Sequence, residues 1–72
     1  MNIIFKEKKY NLNDIVKIIC NITGVNREIA GRIITIGDDK NNIYVELDIS
    51  DKFVSKIALI YLKEIISMEI LE

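Results

Sequence analysis

The chain has 72 residues, half of them apolar, a net charge of −1, one cysteine and no histidine. Such a length makes one domain with a small core, because a domain of about 60 residues buries only about 60% of the surface its unfolded chain exposes. The lone Cys20 excludes an intrachain disulfide and leaves no ligand set for a structural zinc. The balanced charge excludes the strongly basic character of a protein that grips nucleic acid by bulk electrostatics.

Residues 1–12 are expected as a flexible arm or an extra strand. Ile3 and Phe5 fit one face of a short strand, and Lys6 to Lys9 read as a solvated charge run. The apolar part is too short for a signal peptide, and no stretch approaches the roughly 20 apolar residues of a membrane span. No membrane contact is expected. The expected compartment is the cytoplasm, where a free thiol persists.

Residues 13–23 carry two readings. As a helix, Leu12, Ile15, Val16, Ile19 and Ile22 share one side, with Gly24 as a C-terminal cap. As a strand, Val16, Ile18, Cys20 and Ile22 share one face, and the β-branched content favours this reading. Gly24 to Arg27 then reads as a turn into the next strand.

Ile29 to Ile49 is the centre of the chain. Ile43, Val45, Leu47 and Ile49 alternate with Tyr44, Glu46 and Asp48, which is strand periodicity. The polar stretch Gly37 to Asn42 before it is rich in turn formers. Gly31 inside the preceding strand predicts a sharp bend or bulge.

Ser50-Asp51-Lys52 is a polar connection. Lys56 to Leu62 predicts a fourth strand with Ile57, Leu59 and Tyr61 inward. Lys63-Glu64 predicts a short 3₁₀ turn. Ile65 to Leu71 predicts a fifth strand with Ile66, Met68 and Ile70 inward. Ala58, Ile60, Leu62, Ile65 and Leu71 then form a second apolar face, expected to be covered by a neighbouring subunit of a homo-oligomer. The fold expected is all-β, a small five-stranded barrel, preceded by a short strand or helix.

Taken singly, most polar residues have plain roles. Asp38, Asp39 and Asn42 suit a hairpin turn, where their side chains bond to nearby backbone. Lys40 and Lys63 read as solvated lysines, and Tyr44 and Tyr61 as packing residues with wet hydroxyls. Arg32 is expected to face Glu46 across the hairpin. Cys20 has no histidine to activate it and reads as a buried, inert thiol. No cofactor, metal site or catalytic residue is expected. Without histidine the commonest general base near neutral pH is missing, and Asp38 and Asp39 are neighbours in a turn rather than partners across a cleft.

The order of these elements resembles the SH3-like barrels and, more narrowly, the Sm, LSm and Hfq superfamily. N-R-E-I-A-G-R-I-I-T-I-G-D-D-K-N-N-I-Y-V-E-L resembles the first Sm motif, with Gly31 in the bent strand and Asp38 and Asn42 at the ends of its turn. L-I-Y-L-K-E-I-I-S-M-E-I resembles the second. The resemblance implies a ring of roughly six or seven subunits, strand four of each pairing with strand five of the next. It also implies RNA at the inner rim, bound here by Asp38, Lys40, Asn42, Tyr61 and Lys63. The chain departs from the family at both turns. It has Lys40-Asn41 where Sm proteins place an aromatic or histidine, and Tyr61-Leu62 where they place Arg-Gly. Only Tyr61 corresponds to the Tyr-Lys-His of Hfq. Those groups supply stacking worth about 1–3 kcal/mol per base. Val54 to Tyr61 also resembles the small Veg-type barrels, which leaves an SH3-like protein-interaction module without nucleic acid as the alternative.

A helical alternative is similar to the acyl carrier proteins. D-I-V-K-I-I-C-N-I-T-G-V-N is similar to their first helix, and Val54, Ile57, Ala58, Tyr61, Leu62, Ile65 and Ile66 fit a second helical stripe. No serine precedes Val45-Glu46-Leu47 to carry a prosthetic arm, so this would be a degenerate carrier-like domain.

Overall fold

The computed structural model describes residues 1–72 and contains strands, turns and a single 3₁₀ turn, with no α-helix. β1 (Asn2–Phe5) and β2 (Lys8–Asn11) form a hairpin of their own. β3 (Ile15–Ile22), β4 (Val25–Asp39), β5 (Asn42–Asp48), β6 (Ile57–Tyr61) and β7 (Ile65–Ile70) form one antiparallel sheet, in the order β6-β5-β4-β3-β7. The 3₁₀ turn Leu62–Glu64 joins β6 to β7, which are the opposite edges of that sheet. A three-residue link between opposite edges is possible only if the sheet curls until the edges converge there. No ladder joins β6 to β7, so the sheet is not closed by hydrogen bonds.

The helical reading of residues 13–23 is overturned. The segment is β3, the one strand paired with both β4 and β7. Both periodicities fit its sequence, and the two ladders decide between them. Val16, Ile18 and Cys20 point inward with no exposure. The turn after it is Thr23-Gly24 rather than Gly24 to Arg27, since Val25 already pairs with Ile22 and Arg27 with Cys20.

Tight turns of the same kind close the other hairpins. Lys6-Glu7 and Lys40-Asn41 both have positive φ, as do Thr23 and Gly24. Two successive residues of this kind match the right-handed twist of the flanking strands. In the central hairpin Asp38, Asp39 and Asn42 are therefore ladder residues, and the turn is Lys40-Asn41 alone.

Residues 1–12 hold a two-stranded hairpin rather than a flexible arm, and its charged run Lys6 to Lys9 is exposed. Ile3 and Tyr10 face each other across it and are buried in the main core. They join Val16, Ile18, Cys20, Ile33, Val45, Leu47 and Ile60. Each large apolar side chain buried there contributes about 1.5–3 kcal/mol before entropic costs.

Gly31 does not mark the break in the β4–β5 ladder. That lies between Ile33 and Thr35, where Ile34 is unpaired. A Cβ on Gly31 would collide with the carbonyl oxygen of Asp48, so the glycine permits two backbones to pass closely where the sheet folds over. The bulge at Ile34 shifts the register, so that Arg32 faces Asp48 and Glu46 faces Thr35, correcting the expected Arg32–Glu46 pair.

The expected facing of β6 is inverted. Val45 pairs with Ile60 and Leu47 with Ala58, so Ile60 is buried on the face that β5 turns inward. Ile57 and Leu59 are bare instead. One residue of register moves every side chain to the other face. In β7 a register shift between Ile19 and Cys20 leaves Ile66 unpaired, between Ile65 opposite Cys20 and Ser67 opposite Ile19. Ile65 is therefore buried and Ile66 exposed, the reverse of the expectation.

Candidate functional site

The curl of the sheet gathers one corner from three strands. Tyr44 on β5 and Tyr61 on β6 are ladder partners, and their rings meet edge to face at 6.1 Å. The Tyr61 hydroxyl donates to Asp39 Oδ2 on β4 at 3.2 Å. That bond, with the charge of Asp39, raises the Tyr61 phenol above its ordinary pKa. Lys63 Nζ lies 5.6 Å from the centre of the Tyr61 ring. The Tyr61 N–H donates to Glu64 Oε1 at 3.2 Å. Tyr44 lies across Gly37, its ladder partner, and a Cβ there would strike the phenol ring.

The structure therefore brings Tyr61 and Lys63 to the β4–β5 turn that holds Lys40, with Asn42 at its base. Asp39, rather than Asp38, makes the contact that ties the corner together. Asp38 lies instead beside a small hollow with Met1, Ile3, Ile36, Gly37 and Ile43. Tyr44 and Asp39 complete the corner and were legible only as a packing residue and a turn residue. Their role depends on β6 lying next to β5. The corner is mixed in charge, with Asp39 and Glu64 against Lys40 and Lys63. The Tyr61 ring already has the Tyr44 ring and the Lys63 ammonium as neighbours.

Of the residues expected at a subunit interface, Ile60 and Ile65 are buried in the chain's own core. Ala58 and Leu62 are half-buried beside them, and Leu71 is exposed. The bare apolar side chains near the sheet edges are Ile57 and Leu59 on β6 and Ile66 and Ile70 on β7, with Phe53 and Val54 in the preceding connection.

The two edges differ. Ile49 N–H donates to Lys56 C=O, which sets the phase of the β5–β6 ladder. Alternation then directs the N–H and C=O of Ile57 and Leu59 away from β5, into the open. On β7 the Leu71 N–H bonds to Ile15, so the backbone groups of Met68 and Ile70 point outward. The Met68 carbonyl is taken by the Tyr10 hydroxyl at 2.9 Å, and the carbonyl of the bulged Ile66 by Lys6 Nζ at 2.6 Å. The N-terminal hairpin thus takes two carbonyls of the β7 edge, whereas nothing in the chain meets the outward groups of Ile57 and Leu59 on β6.

Other features are quieter. Cys20 is a free, fully buried thiol, and burial pushes its pKa up. No group of three acidic or cysteine side chains converges as a metal site would require, and no helix is long and apolar enough to cross a membrane. A wide groove lined by Ile22, Arg27, Glu28, Ile49 and Lys56 opens at the other end of the sheet. The chain matches no protein-family model, no curated protein and no solved structure.

Proposed function

We propose that this chain is a non-enzymatic, cytoplasmic interaction module built on an SH3-like barrel, and that it works by accepting a protein strand at its β6 edge. The observation that carries this is the pair Ile57 and Leu59, which present apolar side chains and unpaired backbone groups together. Edge strands are ordinarily protected by charge, proline, bulges or a covering segment. β6 has none of these, whereas β7 is bulged and two of its carbonyls accept side-chain bonds from the N-terminal hairpin. The strand order and the short β6–β7 link support the SH3-like reading, and through it the resemblance to Sm proteins.

A photo-crosslinking residue at Leu59, installed in cells that make the protein, tests the reading. The expected result is a discrete covalent adduct that is absent when the probe sits at the exposed Asn26 instead. No adduct from Leu59 overturns it.

A second reading is single-stranded RNA at the corner, favoured by the meeting of Tyr61 and Lys63 with the turn that carries Lys40. Fluorescence anisotropy with a labelled oligouridine checks it. On this reading Tyr61→Ala lowers affinity by about 1–3 kcal/mol, the loss of one stacked base. Oligouridine binding that Tyr61→Ala leaves unchanged, or none at low salt, removes RNA from consideration.

A further inference from the structure

We propose that the strand accepted at the β6 edge is β6 of a second copy, paired antiparallel about a two-fold axis at Ala58, giving a closed dimer. This rests on the reading of β6 as a strand-accepting edge and names its partner.

The register follows from which backbone groups are free. Ile57 and Leu59 each direct an N–H and a C=O outward. The Tyr61 N–H is already bonded to Glu64 and contributes nothing. Placing Ile57 opposite the partner's Leu59, and Leu59 opposite the partner's Ile57, satisfies every free group of both residues in both copies. The axis then passes between Ala58 and the partner's Ala58, a position outside the new hydrogen-bonded pairs, where side chains come closest. Alanine is small enough for that contact. On the outer face Ile57 and Leu59 of both copies form one apolar cluster, covering side chains that are 56% and 45% exposed in the single chain.

Charge selects the same orientation. β6 carries no charged residue of its own, so no like charges meet across the axis. Antiparallel pairing sets Lys56 of each copy near the partner's Glu64, whereas parallel pairing sets Lys56 beside the partner's Lys56. It also carries the bare Phe53 and Val54 toward the partner's Tyr61 corner.

The hairpin decides why the assembly stops at two. A ring built head to tail needs two complementary edges on every subunit. Here the bulge at Ile66 breaks the β7 edge and Lys6 and Tyr10 take two of its carbonyls, so only Ile70 keeps both backbone groups free, too short a run to accept a strand. One bare edge pairs only with its own copy, and that contact closes.

The test is Ala58→Cys, with the wild-type chain as control because Cys20 is fully buried. Under mild oxidation the variant is expected to become a disulfide-linked dimer with an unchanged circular dichroism spectrum. Leu59→Cys is expected to cross-link far more slowly, since Leu59 faces the partner's Ile57. Light scattering on the unmodified wild type is expected to give twice the 8.3 kDa of one chain, insensitive to nuclease. Leu59→Lys is expected to raise the dimer dissociation constant by roughly tenfold or more, the loss of a central apolar anchor. A monomeric wild type, a mass above two copies, or a dimer that Leu59→Lys leaves intact overturns the proposal. A monomeric wild type whose Leu59 probe still traps a different protein in cells sinks the self-pairing alone. A Leu59 probe that traps nothing sinks the strand-accepting edge as well.

Discussion

At the scale of single residues, the two β4 glycines look alike in sequence and do different work. A side chain at Gly31 would strike the Asp48 carbonyl, which is backbone and cannot move without displacing β5. Gly31→Ala is therefore expected to cost about 1–3 kcal/mol, the usual range for overpacking. Gly37→Ala meets only the far end of the Tyr44 side chain, which can swing away. It is expected to cost less than Gly31→Ala and to disturb the Tyr44–Tyr61 contact. Urea denaturation of both variants, with tyrosine fluorescence as the probe, separates the cases. Turn residues show the same limit of reading by type. Lys40-Asn41 lay within a recognisable polar turn. Lys6-Glu7 did not, because neither residue favours positive φ. A non-glycine residue in that region costs about 1–2 kcal/mol, met here by the packing of Ile3 and Tyr10.

At the scale of elements, facing follows from register. Ile60 and Ile57 are the same residue type in one strand, yet Ile60 has no exposure and Ile57 is bare. Ile60→Ala is expected to cost about 2–5 kcal/mol, and Ile57→Ala little in the isolated monomer. Thermal unfolding in dilute solution checks the contrast. The connection between β5 and β6 carries a pH dependence. Asp51 accepts the N–H groups of Phe53 and Val54 at 2.8 Å each, which holds its carboxyl below the ordinary range. Bonds from Ser50 act likewise on Asp48. Because the folded pKa values are depressed, this stabilisation is complete above the ordinary carboxylate value of about 4. It is lost as pH falls through the lower folded values. Exchange of the Phe53 and Val54 amides, corrected for intrinsic rates, is expected to lose protection on acidification, and Asp51→Asn should flatten that dependence.

At the scale of the whole molecule, the N-terminal hairpin belongs to the core and also guards an edge. Tyr10→Phe keeps the buried ring and removes only the bond to Met68, at an expected cost of about 1 kcal/mol. Combined with Lys6→Ala it frees the two β7 carbonyls that the hairpin takes, those of Ile66 and Met68. Light scattering across a concentration series is then expected to show a mass that climbs with concentration, because β6 and β7 can pair head to tail. A mass identical to that of the wild type would mean that the hairpin backbone alone shields β7.

Much of the architecture was legible in the sequence. The β-branched runs and the alternation from Ile43 to Ile49 determined strands, and Lys63-Glu64 fell within the observed 3₁₀ turn. The gathering of Tyr61 and Lys63 at the β4–β5 turn was expected only through the resemblance to the two Sm motifs, since the residues taken singly read as a packing tyrosine and a solvated lysine. What the tertiary structure decided was phase. Bulges at Ile34 and Ile66 each insert one residue, and one residue moves a whole strand's side chains to its other face. Periodicity counts positions from an assumed start and carries no mark of where the count breaks. The state of the two edges was decided there too. Whether a carbonyl is free depends on side chains from distant positions, such as Tyr10 meeting Met68. No local pattern encodes a contact between the two ends of the chain.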